Sequence, residues 1–450
     1  MRAAPGAGAV AILGLLASSG APRHPRSALA AARTGLPGVI ALAARRSPGS
    51  VALVRDGESI TTEALHRLML DLAVDRDARP GGRIGVRSDG GIGFVALLAA
   101  TLAAGADAVP LGPRHGAADL EALELDAVLA ASVPERPSAR SGTEAGTGTG
   151  RILVPSTGTT GAPRVTARSA PGLAGLAQLA DVDRRIRLPR HGPLLLLAPP
   201  DHGHGLALLM AALLRGIPVV LASARRPEEQ ARAAAEHRPR SVSGVPAQLA
   251  RLLAVGGAPS ARLVVSGSAP LPPALRTAYE RTGARVIDAF GTTEVGTVLV
   301  DGRPVAGVRV RISPDGTLTV RSPLGGPRWI ATGDRAESAG GGRLRILGRA
   351  DRLVDSGGEL VDPERLRALL ADHPGVAAAT VEVVPDDLLG SVLHARVDAD
   401  PALEPALRTA IAARLSRAEH PRRLAFAPFP PAEPGGTGGA GAAPYTRPGS

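Results

Sequence analysis

The sequence predicts an α/β protein. A large N-terminal domain of α/β sheets carries a β-rich subdomain, and a small α+β domain follows. Three observations predict this. Short Val/Ile/Leu runs alternate with apolar helical stretches from Leu36 onward, the rhythm of parallel strands joined by crossover helices. Residues 305–347 then break into short strands split by Gly and Pro. After Gly348, strand-like and helical runs share a stretch long enough for a small second core. With 450 residues and 44% hydrophobic content the chain can build both, and 2% aromatics means cores of Ala, Val and Leu.

Residues 1–36 form an Ala-rich lead, and residues 37–347 make up the large domain. Within it, Arg83–Val86 reads as a strand, Phe94–Ala104 as an Ala/Leu helix and Ala108–Leu111 as the next strand. Pro134–Gly150, rich in Ser, Gly, Thr and Pro, reads as a linker or surface loop. Leu194–Leu197 and Leu206–Leu214 are separated by a turn of Pro and His, so they read as a buried strand and a core helix. Pro218–Leu221, a helix over Pro227–Ala235 and a strand over Arg262–Val265 continue the alternation. Val308–Ile312, Thr317–Val320 and Leu344–Leu347 are the strands of the β-rich subdomain. Residues 348–434 form the small domain, with a helix over Pro363–Ala371, strands near Ala379–Val384 and Val392–Val397, and a helix over Leu403–Arg417. Residues 435–450 belong to a flexible Pro/Gly-rich tail. No internal repeat is visible.

Composition excludes several functions. There is no Cys, hence no disulfide framework, thiolate metal site or thiol nucleophile. The net charge is +11, and all 52 basic residues are Arg, with no Lys. These arginines are scattered without long runs or interleaved aromatics, so no nucleic-acid partner is expected. The excess of Ala, Arg, Gly and Pro reads as a coding bias. Ala9–Ala17 follows Arg2 in the manner of a signal peptide, but the run is short and Arg23, His24 and Arg26 follow. No apolar run reaches the ~20 residues needed to span a bilayer. The expectation is a soluble cytoplasmic protein, with peripheral membrane contact left open.

The most informative stretch is Val154 to Arg164, VPSTGTTGAPR. Glycines let a backbone approach an anion closely, and their N–H groups can point at phosphate oxygens. The hydroxyls of Ser156, Thr157, Thr159 and Thr160 add donors, and Arg164 adds a fixed positive charge. By composition alone this is an ordinary polar loop. Its order resembles the phosphate-binding signature of the adenylate-forming (AMP-binding) enzymes: acyl-CoA synthetases, peptide-synthetase adenylation domains and luciferases. Other segments resemble that family in the same order. They include AAGADAVPL (Ala103–Leu111), PPDHGHGL (Pro199–Leu206), SGSAPL (Ser266–Leu271), AFGTTE (Ala289–Glu294), TGD (Thr332–Asp334), GRAD (Gly348–Asp351) and SGGE (Ser356–Glu359). The resemblance runs from about Leu36 to Pro434, most like actinobacterial fatty-acyl-CoA synthetases.

The resemblance implies ATP, Mg2+ and CoA as ligands and a carboxylic acid, expected to be a fatty acid, as substrate. It implies that Thr159, Arg164, His202 and Glu294 are catalytic, with Thr159 and Glu294 at Mg2+. It assigns Ser156, Thr157, Gly158, Thr160 and Gly161 to the phosphates. Gly267, Ser268, Ala269, Asp288, Phe290, Gly291, Thr292, Thr293, Asp334 and Arg349 complete the nucleotide site. Phe290 would stack on adenine, Asp334 would accept the ribose hydroxyls, and His202 would lie near the thiol path. Asp351 matches the hinge of a mobile C-terminal domain. Taken singly, these residues read as core, turn or surface positions, and His202 with His204 is too few ligands for a metal.

Two departures stand out. The family's phosphate-loop Lys is Arg164, a larger and planar cation. Its near-C-terminal catalytic Lys is replaced by Gly436 in PPAEPGG, and Arg447 is wrongly spaced to replace it. The second departure implies weakened adenylation. Three readings follow: an AMP-forming acyl-CoA synthetase, a non-catalytic or partly active relative, and an enzyme that loads a carrier protein.

Overall fold

The computed structural model describes residues 35–74, 80–112, 115, 117–130, 150–157, 163–168, 173–223, 225–349, 353–386 and 388–427. Residues 1–34, the motif residues Gly158, Thr159, Thr160 and Gly161, the hinge position Asp351 and the stretch 430–450 lie outside the described residues, as does most of the expected linker.

The chain opens with α1 (Leu36–Arg46), which has a proline in its first turn and Arg45 and Arg46 in its last. Both placements suit the helix ends. Then come β1 (Val51–Arg55), β2 (Glu58–Thr61), α2 (Thr62–Val74), β3 (Arg83–Arg87), α3 (Ile92–Ala103) and β4 (Asp107–Leu111). They are followed by α4 (Ala117–Ala122), β5 (Ala127–Ala130), β6 (Ile152–Thr157), β7 (Pro163–Arg168) and α5 (Leu173–Ile186). Next are β8 (Leu194–Leu196), α6 (Gly203–Leu214), β9 (Val219–Leu221), α7 (Pro227–His237), β10 (Ser241–Gly244) and α8 (Pro246–Ala254). The run closes with β11 (Leu263–Gly267), α9 (Pro273–Arg281), β12 (Arg285–Thr292), β13 (Gly296–Val300) and β14 (Arg303–Pro304).

Among the described residues these strands build two sheets. One has the order β14-β13-β12-β11-β10-β8-β9-β1-β2, parallel from β12 to β1 and antiparallel at its edges. The other has the order β5-β3-β4-β6-β7, parallel except for its last pair. Strand side chains alternate between faces, and the cores follow that rule. Leu194, Leu196, Val219, Leu221, Leu263 and Val265 join one buried cluster with α1, α2, α3 and α6. Leu195, Val220 and Val264 join another with Leu249, Leu252 and Tyr279 on the opposite face. Helix α3 is buried all round, as its unbroken apolar sequence requires.

A four-stranded sheet follows: β15 (Arg309–Ile312), β16 (Thr317–Arg321), β17 (Ile330–Ser338) and β18 (Leu344–Arg349). Its Leu318, Val320 and Ala336 pack with Val295, Val298 and Leu299 of the β12–β13 region. The last sheet contains β19 (Val354–Ser356), β20 (Glu359–Val361), β21 (Val376–Asp386), β22 (Gly390–Ala399) and β23 (Arg423–Phe426). Helices α10 (Pro363–Ala371) and α11 (Glu404–Arg414) cover it and share its own buried cluster, which includes Leu366, Leu370, Leu393, Leu407 and Ile411. The helix expected over Leu403–Arg417 is shorter. It ends at Arg414, Leu415 is already extended, and Ser416 opens a separate single turn over Arg417–Glu419. Glu419 accepts the Ser416 N–H at 2.9 Å, so the cap favours the new turn over continuation.

Candidate active site

In open α/β sheets ligands sit beyond the carboxyl ends of the strands, and here two sheets present those ends to each other. Ser88, just after β3, donates its hydroxyl to Asp201 Oδ1 at 3.1 Å. Gly112, just after β4, lies so close to Asp201 that a Cβ there would stand 2.4 Å from Oδ2. Asp201 follows β8 in the other sheet and is 5% exposed. β6 runs parallel to β4, so the β6–β7 hairpin reaches the same edge, with Ser156 opposite Arg164 and Thr157 opposite Pro163. The strands flanking the phosphate-loop motif are therefore placed at the crevice. The side chains of Ser156, Thr157 and Arg164 are outside the described set.

The parallel register brings the expected nucleotide residues of β11 and β12 together. Ser266 lies beside Asp288 and Gly267 beside Ala289. Ser268 follows with φ of +67°, a left-handed turn, which leaves it exposed and Ala269 half-buried. Gly291 has no room for a side chain, because a Cβ would meet the Gly296 carbonyl oxygen at 2.3 Å. The ladder slips between Phe290 and Gly291. Phe290 is half-buried against the Val295–Leu299 cluster, so its ring is partly committed to the core. Burial pushes the Asp288 carboxyl up to about 6, against the pull of Arg276.

Asp334 and Arg349 are register partners on β17 and β18. Arg349 Nη1 donates to Asp334 Oδ1 at 3.3 Å and to the Thr332 carbonyl at 3.0 Å. Gly333 bends the strand with φ of +74°, and the Asp334 N–H donates to Thr332 Oγ1. The TGD order thus sets a carboxylate and a guanidinium on adjacent strands of the sheet that packs against β12–β13.

His202 sits before the first turn of α6, with Nδ1 3.1 Å from Asp201 Oδ2. His204, two residues on, is turned into the protein. Its Nε2 lies 3.0 Å from Ser243 Oγ, and its ring abuts Gly267, where a Cβ would stand 2.6 Å away. Burial holds its imidazole down at about 4, so it is neutral.

Sequence reasoning missed one organising residue. Gln178 on α5 is fully buried, and its Nε2 donates to the Val295 and Thr297 carbonyls. Its Oε1 accepts the Ser322 hydroxyl and the Leu324 N–H. It pins the chain just after Thr292, Thr293 and Glu294, the last half-buried. A single Gln on an amphipathic helix carries no motif, and no signal in the sequence would have found it. Asp201 stood inside a recognised motif, but its contacts with the other sheet depend on packing.

A crevice between two mainly parallel sheets, flanked by a carboxylate–guanidinium pair, is the architecture of the adenylate-forming enzymes. The family described as AMP-binding enzyme matches residues 151–323. A probable 2-succinylbenzoate–CoA ligase of Mycobacterium tuberculosis (strain CDC 1551 / Oshkosh) is 33% identical over 306 residues, 61% of this chain and 78% of its own. Among solved structures, a double mutant of o-succinylbenzoate CoA synthetase from Bacillus subtilis, bound with its product analogue OSB-NCoA, gives a TM-score of 0.75. That likeness has 20% identity and covers 87% of this chain and 95% of the other. The same enzyme with its acyl-adenylate intermediate gives 0.57 over the same shares, at 19% identity. A malonyl-CoA ligase with methylmalonyl-CoA and AMP bound gives 0.69 at 26% identity, over 86% and 98% of the two chains. The chain belongs to the AMP-binding enzyme family, on the side of the acyl-CoA ligases.

Proposed function

We propose that the protein is an AMP-forming acid–CoA ligase whose acid carries an aromatic ring. The fatty acid expected from sequence is replaced in this reading, because the curated relative above is named for 2-succinylbenzoate and a further relative for ferulate. The observation that carries the enzymatic reading is the Asp334–Arg349 pair beside β12, in a crevice that both sheets feed with polar strand ends.

In the first step an acid oxygen attacks the α-phosphorus of ATP and pyrophosphate leaves. In the second the thiol sulfur of CoA attacks the acyl carbon, the bond to AMP breaks, and the thiol proton is lost to base or water. Asp334 and Arg349 would hold the ribose end of the nucleotide. Asp288, Phe290, Gly291 and the turn at Gly267, Ser268 and Ala269 would line the adenine side. Ser156 to Gly161 with Arg164 would grip the phosphates, and His202 would stand by the thiol path. Asp351 would be the hinge between residues 37–347 and 348–434.

Among the described residues no group of three His, Asp or Glu side chains could hold a metal. Mg2+ needs none, since it takes one or two carboxylates plus phosphate and water oxygens. Glu294, with Thr159, fits that demand, and the ion would neutralise charge on the transferring phosphate. Peripheral membrane contact and carrier-protein loading stay within the proposal only as variants. Among the described residues no helix is long and apolar enough to cross a membrane.

Gly436, standing where the family has its adenylating Lys, favours a second reading, in which only the thioester step survives. ATP–pyrophosphate exchange and CoA-dependent AMP release with 2-succinylbenzoate, ferulate and fatty acids separate the cases. Exchange with an aryl acid establishes adenylation, and CoA-dependent AMP release with the same acid establishes the ligase. Thioester formation from a synthetic acyl-adenylate without exchange establishes the second reading. Silence in both, with ATP still bound, makes the protein a binding relative.

A further inference from the structure

Arg365 of α10 lies where the C-terminal sheet meets the rest of the chain. Its Nη1 donates to Glu419 Oε1 at 3.0 Å, within its own unit. Its Nη2 lies 3.5 Å from Asp119 Oδ1 on α4, which belongs to the β3–β7 sheet region. All three side chains are largely buried, with 22%, 5% and 12% exposure for Arg365, Glu419 and Asp119. A guanidinium can serve two carboxylates because its five donors fan out in a plane. Burial pushes the Glu419 carboxyl up and Arg365 draws it back, while Asp119 adds like-charge repulsion. Glu419 and Asp119 therefore share one cation.

The same face is closed at a second point. Gly358, in the β19–β20 hairpin, is pressed on Val245 so closely that a Cβ would stand 2.6 Å from its Cγ1. Over both units together the chain is more like the complex with the CoA-product analogue than the one with the acyl-adenylate, 0.75 against 0.57.

We infer that Arg365 is a positioning residue: bridged between Glu419 and Asp119, it holds the C-terminal unit against the large one in the arrangement that serves CoA transfer. This rests on the ligase reading for the word transfer, but not for the holding. An ion pair between units needs no side chain at the reacting atoms, so its loss acts through the population of one arrangement.

The test uses the full chain. The absence of Cys lets two be introduced cleanly, at the exposed positions Arg281 and Ala413, and spin-labelled for an inter-unit distance distribution. The perturbing variant is Asp119→Asn, which leaves the Arg365–Glu419 pair and its buried charges intact. Asp119→Asn should broaden or shift the distribution, and Asp119→Glu should restore it. Thioester formation from a synthetic aryl acyl-adenylate should fall about tenfold in Asp119→Asn while ATP affinity stays unchanged. An unaltered distribution in Asp119→Asn overturns the inference. So does an equal fall in ATP affinity, which would mark general damage. If the unmodified protein forms no thioester, the ligase reading fails and the distance measurement still decides the bridge.

Discussion

Arg349 faces Asp334 across the β17–β18 ladder, their backbones paired in register and their side chains meeting at 3.3 Å. Each is largely buried, with 16% and 10% of the side chain exposed. Removing either group takes a charge-assisted hydrogen bond from a largely buried partner, which costs more than an exposed pair would. Arg349→Ala and Asp334→Asn should each weaken ATP binding by about tenfold to a hundredfold, or roughly 1.4–2.8 kcal/mol. Calorimetric titration of ATP without acid or CoA checks this, and unchanged affinity in both variants would falsify the nucleotide role.

Gln178 makes its four bonds from the interior, and no apolar residue can replace them. Gln178→Leu should destabilise the protein by about 2–4 kcal/mol, because four hydrogen bonds to one buried side chain are lost together. If the turn after Glu294 is held by this side chain, residual activity should also show a raised Mg2+ requirement. Denaturant unfolding and a metal titration read the two effects separately.

Gly291 should not accept even a methyl group. Gly291→Ala drives Cβ into a backbone carbonyl, which cannot rotate away. A loss of about 1–3 kcal/mol is expected from such overpacking, read as a lowered Tm. By contrast Gly283→Ala, where the space is open, meets only its positive φ of 82° and should cost less.

His204 gives the fold a dependence on acid. Its imidazole is held at about 4 by burial, below the ordinary 6.5. The unfolded chain therefore binds the extra proton first, and stability present above about 6.5 is lost as pH falls toward 4. The full loss is on the order of 3 kcal/mol, at 1.36 kcal/mol for each unit of displacement. His204→Gln should make the pH–stability curve shallower by about one proton in that window. A variant curve parallel to the unmodified one would place the acid sensitivity elsewhere.

The element order was legible from periodicity and punctuation. Helix α10 matches the sequence expectation over Pro363–Ala371 because Asp362 caps it, accepting the Glu364 N–H, and Pro363 opens it. The AFGTTE and TGD segments were legible through the family resemblance, and the structure gives a reason for their glycines: Gly291 has no room for a Cβ, and Gly333 has φ of +74°. What escaped was everything made by distant pairing. Arg365 and Asp119 carry no mark of each other in the sequence. Asp201 stood inside the PPDHGHGL segment with no role of its own, yet it is a point where two sheets touch. The ring of His204 explains why Gly267 is bare, a relation that spacing cannot express.

The pairing of β1 with β9 has a consequence for how the protein is made. Leu53 and Val219 are neighbours in the sheet, yet the whole β3–β7 sheet is translated between them. At about 5–20 residues per second, the β1–β2 hairpin waits on the order of ten to thirty seconds for its partner. The interposed sheet can fold first, since its strands are local to one another. The early hairpin meanwhile offers a bare edge to anything that would pair with it. The crevice between the two sheets thus cannot close until β8 and β9 have been made, long after the hairpin that borders them.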